Sequence, residues 1–175
     1  MKQGLIHIYT GTGKGKTTTS VGLAVRALSH NFKVCFCNFN KNPEKYGITE
    51  LNTLEKLGAT VMPLTQEHPR FNKAISIDEH KAITAAGFDK IKNYIQENEC
   101  DLLVMDEINI SIRDNFLPED ELLQFLKDKP DSLEVVLTGR GATEKMMEIA
   151  DYVSIIDAHK HPFEQGISSR EGIEY

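Results

Sequence analysis

The sequence Thr10-Gly-Thr-Gly-Lys-Gly-Lys-Thr-Thr18 lies between an apolar run at residues 5–9 and a helical pattern of apolar residues that continues to Leu28. A glycine-rich loop between a strand and a helix is the setting in which backbone N–H groups and the positive end of the helix dipole bind phosphate. The glycines let successive N–H groups turn towards one anion. This stretch therefore predicts a phosphate-binding loop at one edge of a β-sheet.

The residues of this loop offer a nucleotide different groups. Lys16 is expected to contact the β and γ phosphates, Thr17 to offer its hydroxyl to Mg²⁺, and Lys14 to add a second cation. Thr10 replaces the first glycine of the usual G-x-x-x-x-G-K-[ST] spacing, so the loop is a variant. The alternative, a structural turn with solvated lysines, has no need of Gly-Lys-Thr at a helix start. The predicted ligand contacts are Thr10, Gly11, Thr12, Gly13, Lys14, Gly15, Lys16, Thr17 and Thr18.

The rest of the chain alternates between strand-like and helical patterns. Strands are predicted at residues 34–39, 60–64, 101–105, 133–137 and 152–156, and helices at 48–57, 76–95, 119–126 and 143–150. Ser76 and Glu79 have the spacing of a capping box. The alternation predicts one α/β domain over residues 1–175, with a mainly parallel sheet between two helical layers, similar to the RecA-like fold of P-loop NTPases. Residues 40–46, residues 65–73 and the tail from residue 157 are predicted loops that contact ligand.

Two acidic residues and an arginine follow later strands. Asp106 and Glu107 end an apolar strand and, with Thr17, are the candidate Mg²⁺ ligands. Because successive strand residues point to opposite faces, only one of the two acids is expected to face the ion directly, and the sequence does not identify which. Arg140, after the next strand, is expected to clamp phosphate oxygens; the alternative is a surface arginine paired with a carboxylate. The candidate catalytic residues are Lys16, Thr17, Glu107 and Arg140.

Composition restricts the partners and the compartment. The formal charge of -6 comes without a basic block, which argues against a nucleic-acid partner. No apolar run approaches the roughly 18 to 20 residues of a membrane helix, and the N-terminus lacks the layout of a signal peptide, so a cytoplasmic protein without membrane contact is predicted. Cys35 and Cys37 alternate with Phe36 and are expected to be small core residues rather than metal ligands.

Several further segments occur in a fixed order after the loop. They are M-D-E-I-N at residues 105–109, E-V-V-L-T-G-R at 134–140, A-D-Y-V at 150–153 and K-H-P-F-E-Q-G-I-S-S-R-E-G-I-E-Y at 160–175. With the loop, they resemble the P-loop family of ATP:corrinoid adenosyltransferases, also called cob(I)alamin adenosyltransferases, along nearly the whole chain. The tail is the most specific part, because phosphate loops occur in many unrelated ATPases and kinases.

The resemblance implies a reaction, its cofactors and its partners. The 5′-deoxyadenosyl group of ATP would pass to the cobalt of a reduced corrinoid such as cob(I)alamin, with release of triphosphate, in the biosynthesis or salvage of adenosylcobalamin. The metal would be Mg²⁺ or Mn²⁺. The nucleophile would be Co(I) itself, so the protein would need only to align the reactants and stabilise the leaving group. The resemblance also implies a homodimer and a flavoprotein reductase that supplies Co(I).

Three features of the chain differ from the pattern of the family. Where relatives have an aromatic Phe-x-Trp-like segment, this chain has His68-Pro-Arg-Phe71-Asn and no tryptophan. Phe71 is therefore a candidate corrinoid contact, with loop packing as the alternative. Lys41 ends N-F-N-K, where relatives have a Gln-Phe-x-Lys-like segment, and is expected to face ligand. The sequence begins a few residues before its first predicted strand, so we expect no N-terminal arm over a bound corrinoid.

Two other functions fit a phosphate loop. An ATPase or kinase would use Glu107 to orient a water or acceptor towards the γ-phosphate and would produce ADP. A non-catalytic protein would use ATP to gate the binding of a corrinoid and would show no turnover.

Overall fold

The computed structural model describes residues 3–42, 45, 47–64 and 67–174, and within them six strands form one parallel sheet. The strands are β1 (Ile6–Thr10), β2 (Val34–Asn38), β3 (Thr60–Pro63), β4 (Leu102–Asp106), β5 (Glu134–Thr138) and β6 (Tyr152–Ile155). Their order across the sheet is β3-β2-β4-β5-β1-β6. The predicted strands are confirmed, with small shifts at their ends. All carboxyl ends lie at the same edge, where ligands bind in sheets of this kind.

The helices connect successive strands. They are α1 (Lys16–Ser29), α2 (Glu50–Lys56), α3 (Ile77–Glu97), α4 (Ile108–Arg113), α5 (Glu119–Asp128) and α6 (Glu144–Ile149), with a 3₁₀ turn at Pro162–Gln165. Within the described ranges, none is both long and apolar enough to cross a bilayer. The predicted loops at residues 40–46 and 65–73 include residues 43, 44, 46, 65 and 66, which lie outside the described residues.

Helix α4 and the 3₁₀ turn were not predicted from the sequence. The α4 sequence I-N-I-S-I-R alternates apolar and polar residues, a pattern typical of a strand rather than a helix. In the structure Ile108 and Ile112, one helical turn apart, are both buried, and Ser111 is buried beside them. Packing against the sheet therefore overrides the local pattern.

The core has a layer on each face of the sheet. On one face, Tyr9, Phe36 and Val104 pack against Ala24 of α1 and Leu54 of α2. On the opposite face, a larger cluster joins strand residues to α3, α4, α5 and α6; its members include Ile8, Cys37, Phe88, Ile112, Leu122 and Met146. Central strands buried on both faces are expected for a parallel sheet. The fold is thus the three-layer α/β arrangement of P-loop NTPases.

The predicted capping box at the start of α3 is present, and it permits a stability test. Ser76 Oγ accepts the Glu79 N–H at 3.2 Å, and the Glu79 carboxylate accepts the Ser76 N–H at 2.9 Å. Ser76→Ala is expected to lower the free energy of unfolding by about 1 kcal/mol, the usual cost of losing an N-cap side chain. Urea denaturation measures this change. Thr49→Ala is the matched control, because Thr49 caps α2 without a side-chain hydrogen bond; equal losses in the two variants would contradict the prediction.

Candidate active site

The phosphate loop connects β1 to α1. At two of its positions the backbone of another segment lies so close that only glycine fits. Gly11 has a φ of +104°, and a Cβ there would lie 2.5 Å from the carbonyl oxygen of Ile156. At Gly13 a Cβ would lie 2.8 Å from the backbone of Asp157. Thr10, by contrast, is still an extended strand residue paired with Ile155. The loop turns only after Thr10, which explains why a β-branched residue is accommodated at the position of the usual first glycine.

Lys16 lies beneath this loop. Its ammonium group donates to the carbonyl oxygens of Gly13 at 2.6 Å and Gly11 at 3.0 Å. Burial, and then the nearby positive charge of Arg140, lower the pKa of Lys16 below its usual value. Both effects disfavour the charged form, so an anion bound in the loop would be stabilised by Lys16 and would in turn stabilise its charge.

The other polar loop residues lie further out. The Thr12 N–H and hydroxyl donate to Asp157 Oδ1 at 3.1 and 3.2 Å. Lys14 is 46% exposed, with its ammonium 3.8 Å from Glu174 Oε1 in the tail, and Thr18 is exposed on α1. No local pattern in the sequence indicates that Asp157 and Glu174 lie beside the loop. The parallel pairing of β6 with β1 brings Asp157 there, and the path of the tail brings Glu174.

Asp106 is the centre of the predicted metal site. Its carboxylate is fully buried at the end of β4 and accepts hydrogen bonds from Thr17 Oγ1 at 2.9 Å and Thr138 Oγ1 at 2.6 Å. Its second oxygen accepts from Asn38 Nδ2 at 3.1 Å. Because it contacts the loop threonine directly, Asp106 is the acid that faces the proposed metal position from the sheet.

Glu107 also reaches this position, whereas strand alternation had predicted that only one of the two acids would face the ion directly. Glu107 is not a strand residue: its φ of +64° places it in the left-handed region at the start of α4. Its N–H donates to Thr138 Oγ1 at 3.0 Å, which holds this bend. The bend turns the side chain back, and the Glu107 carboxylate lies beside that of Asp106 rather than on the other face of the sheet.

Lys41 joins the two carboxylates. Its ammonium lies 3.1 Å from Asp106 Oδ2, 3.2 Å from Glu107 Oε1 and 3.0 Å from Thr17 Oγ1. Burial acts to lower the pKa of Lys41, but the charges and hydrogen bonds of the two carboxylates outweigh it, so the pKa is raised above its usual value. Lys41 was expected to face ligand, and the structure places it in the middle of the predicted metal ligands.

A buried hydrogen-bond network supports Lys41 and Glu107. The Asn40 amide donates to the Glu107 carbonyl oxygen at 3.1 Å and to Ser111 Oγ at 2.8 Å, and its oxygen lies 2.9 Å from Nε2 of His80. Burial, and then the charge of His68, lower the pKa of His80, which favours a neutral ring that donates to Asn40. The only signal in the sequence is an asparagine directly after a strand, since asparagine tolerates the left-handed φ of +57° found there.

The remaining predicted residues line a cavity next to this site. Its volume is about 670 Å³, and Lys41, Phe71, Glu107 and Arg140 contribute to its wall. Phe71 is 68% exposed, so its ring is available to a ligand. Arg140 is exposed and, among the described residues, forms no ion pair with a carboxylate; its role as a phosphate clamp stays a prediction. The phosphate loop, the acids and this cavity therefore meet at one edge of the sheet.

The oxygen atoms at this edge suit Mg²⁺. Mg²⁺ takes hard oxygen ligands and is commonly held by one or two carboxylates together with the phosphates of a substrate. Thr17, Asp106 and Glu107 supply such oxygens, and Glu107 Oε2 is buried without a hydrogen-bond partner in the described chain. The described residues contain no cluster of three or more His, Cys, Asp or Glu that would hold a metal unaided. The phosphates of a bound nucleotide would add further oxygen ligands to this set.

The fold and this arrangement define a P-loop protein of the nucleotide triphosphate-binding class. The family model of ATP:corrinoid adenosyltransferase BtuR/CobO/CobP matches residues 2–175. The chain belongs to this family.

Relatives in three bacteria bear corresponding names. A corrinoid adenosyltransferase of a Sinorhizobium species is 33% identical over 185 residues, which cover 99% of this chain and 81% of the relative. The corrinoid adenosyltransferase of Escherichia coli K12 is 31% identical, and corrinoid adenosyltransferase CobA of Salmonella typhimurium is 30% identical. Each of these two alignments covers 99% of this chain and 87% of the relative.

Proposed function

We propose that this chain transfers the 5′-deoxyadenosyl group of ATP to the cobalt of a reduced corrinoid such as cob(I)alamin and releases triphosphate. The observation that carries the proposal is the meeting of three features at one edge of the sheet: the phosphate loop, the Thr17–Asp106–Glu107 oxygens and the cavity beside Phe71 and Arg140. Membership of the adenosyltransferase family selects this reaction among those that a P-loop supports.

In this reaction the protein has to stabilise the charge of the leaving group and does not have to supply a nucleophile. The electron pair of Co(I) forms the new bond to C5′, the bond from C5′ to the triphosphate oxygen breaks, and the negative charge goes to the triphosphate. Lys16, the loop N–H groups and Arg140 would bind this leaving group, where each well-aimed donor is worth roughly 3 kcal/mol. Mg²⁺ held by Thr17, Asp106 and Glu107 would neutralise further charge on the phosphate oxygens.

Each remaining proposed ligand contact has a role that follows from its position. Thr10, Gly11, Gly13 and Gly15 shape the loop backbone, while Thr12, Lys14 and Thr18 lie at its outer side, nearer the tail. Phe71 would present its ring to the corrinoid. The nucleotide and the corrinoid would then meet across the position held by Lys41.

The products test the proposal. Protein, Mg-ATP and chemically reduced cob(I)alamin are mixed without oxygen, the phosphorus products are identified by ³¹P NMR, and the corrinoid spectrum is recorded. Triphosphate together with the spectrum of an adenosylated corrinoid is the expected result. ADP as the product would indicate attack at the γ-phosphate, and corrinoid binding without any new phosphorus product would indicate an ATP-gated binding protein.

The exposed ring of Phe71 permits a test of the corrinoid side alone. Phe71→Ala is expected to raise KM for the corrinoid up to about tenfold, because a ring contact worth roughly 1 kcal/mol is lost. KM for ATP should be unchanged. Leu57→Ala is the matched control, since Leu57 is 51% exposed and follows α2 at the opposite edge of the sheet. Equal corrinoid KM values for Phe71→Ala and the wild type would show that Phe71 does not contact the corrinoid.

An external reductase, a cytoplasmic location and a homodimer complete the proposal. Cys35, Cys37 and Cys100 are free thiols, as expected in a reducing compartment. Burial raises the pKa of Cys37 well above its usual value and that of Cys100 to about 12, so both thiols stay protonated at neutral pH. A separate enzyme, which we take to be a flavoprotein, would supply Co(I). The homodimer rests on the likeness to the family, and light scattering tests it.

A further inference from the structure

The Lys41 ammonium occupies the space between the three oxygens proposed to bind the divalent metal. Its distances to Thr17 Oγ1, Asp106 Oδ2 and Glu107 Oε1 are 3.0, 3.1 and 3.2 Å. An ammonium group and Mg²⁺ are both compact cations that take oxygen partners. The same three atoms therefore serve two cations that would repel each other strongly at such distances.

We propose that Lys41 is a tethered cation that holds the metal position of the nucleotide-free protein, and that the incoming divalent metal displaces it. The inference rests on the proposed function in one respect, the assignment of Thr17, Asp106 and Glu107 as metal ligands. It adds a competition between a side chain and the metal for those ligands.

The charges around Lys41 explain why the position needs a cation at all times. Asp106 is fully buried, and the Glu107 side chain beside it is 14% exposed. Two neighbouring carboxylates with little access to water repel each other unless a positive charge lies between them. Lys41 meets this need without metal, and a bound Mg²⁺ would meet it with twice the charge.

The side chain of Lys41 has a route out of the site. It is 28% exposed, and it lines the cavity that also contains Phe71 and Arg140. Lysine carries its charge on a flexible four-carbon stem, so the ammonium can turn towards this cavity while the backbone stays fixed by the network around Asn40. The triphosphate of the nucleotide would provide a new anionic partner there. In the wild type the nucleotide is thus expected to favour entry of the metal, whereas a variant without Lys41 has no ammonium to displace and should bind the metal without nucleotide.

A permanent counter-ion is the alternative role for Lys41. In that case the metal would bind elsewhere, away from these three oxygens, and removal of Lys41 would leave the affinity for metal nearly unchanged. Displacement requires the opposite result, since the metal no longer has to expel a cation.

The affinity of the nucleotide-free protein for Mn²⁺ separates these roles. Free Mn²⁺ is measured by electron paramagnetic resonance during titration of the wild type and of Lys41→Met. We expect Lys41→Met to bind Mn²⁺ at least about tenfold more tightly, a change of 1.4 kcal/mol. Lys92→Met is the control, because Lys92 also pairs with two carboxylates, those of Asp89 and Glu121, on the surface away from the site. Mn²⁺ affinity in Lys41→Met equal to or below that of the wild type would overturn the proposal.

A second variant and a measurement of thermal stability keep the proposal testable if Lys41→Met folds poorly. Lys41→Met and Lys41→Gln are expected to melt at lower temperature than the wild type without metal and to recover much of the difference in excess Mg²⁺. The wild type should gain far less from Mg²⁺ alone. If both variants stayed unfolded in excess Mg²⁺ and Mn²⁺, the proposal would be rejected, because the metal is expected to replace the missing charge.

These measurements contain neither ATP nor corrinoid, so they test the displacement of Lys41 independently of the adenosyl transfer reaction. Normal transfer by the wild type with unchanged Mn²⁺ affinity in Lys41→Met would reject the displacement alone. Absence of transfer with tighter Mn²⁺ binding in the variant would reject the proposed reaction and support the displacement.

Discussion

The Lys16→Ala variant is expected to lose at least about 10²–10³-fold in kcat for adenosyl transfer, the cost of removing one well-aimed donor to a developing anion. The ammonium of Lys16 lies under the loop within 3.0 Å of the carbonyl oxygens of Gly11 and Gly13. Those carbonyls compensate its charge only partly, which is why burial lowers its pKa. The charge that leaves C5′ with the triphosphate would supply the missing partner.

Two measurements define the test of Lys16. Single-turnover formation of adenosylated corrinoid under saturating Mg-ATP reports the chemical step, and calorimetry reports the affinity for ATP. Lys14→Ala is the matched control within the same loop, because Lys14 is 46% exposed and water screens its charge. Its loss should be much smaller. A single-turnover rate in Lys16→Ala equal to that of the wild type would show that the phosphate loop takes no part in the mechanism.

The sequence predicted the features of this site that depend on local order along the chain. The loop, its preceding strand and its following helix are contiguous. Glycine is favoured at residues 11 and 13 by close backbone approaches and at residue 15 by a positive φ. Asp106 was placed at the edge of the sheet because an apolar strand ends there. Parallel strands then bring Thr17 and Asp106 together without any long-range information beyond the fold.

The contacts that could not be predicted arise where the backbone leaves regular structure. Only one of Asp106 and Glu107 was expected to face the ion, and the left-handed conformation of Glu107 instead brings both carboxylates to Lys41. The alternating sequence of α4 gives no helical period, and its helix exists because Ile108 and Ile112 fill one side of the core. His80, near the start of α3, meets Asn40 after β2 only through packing of the two elements. Such contacts depend on tertiary structure rather than on spacing.

Asp106→Asn is expected to raise the Mg²⁺ concentration needed for half-maximal activity at least about tenfold, since even the loss of a residue that only orients a metal ligand has this effect. The carboxylate accepts four hydrogen bonds, from Thr17, Thr138, Asn38 and Lys41. An amide has the same shape but no charge, and one of its two ends is a donor. If the amide turns its NH₂ group towards the two threonine hydroxyls, these can reverse and accept, while its oxygen faces Lys41.

Asp106→Asn is therefore expected to raise the Mg²⁺ requirement strongly while it lowers the free energy of unfolding only moderately. The turned amide should limit the cost of Asp106→Asn in the free energy of unfolding to about 1–3 kcal/mol. Asp106→Ala removes all four hydrogen bonds of this buried carboxylate, including that from the partly exposed ammonium of Lys41, and should cost about 3–5 kcal/mol. Glu134→Gln is the control, because Glu134 is a half-buried acid at the start of β5 that bonds His7 and the Leu5 N–H, remote from the metal position. It should lose stability at an unchanged Mg²⁺ requirement. An unchanged Mg²⁺ requirement in Asp106→Asn itself would show that Asp106 neither binds the metal nor orients Thr17 towards it.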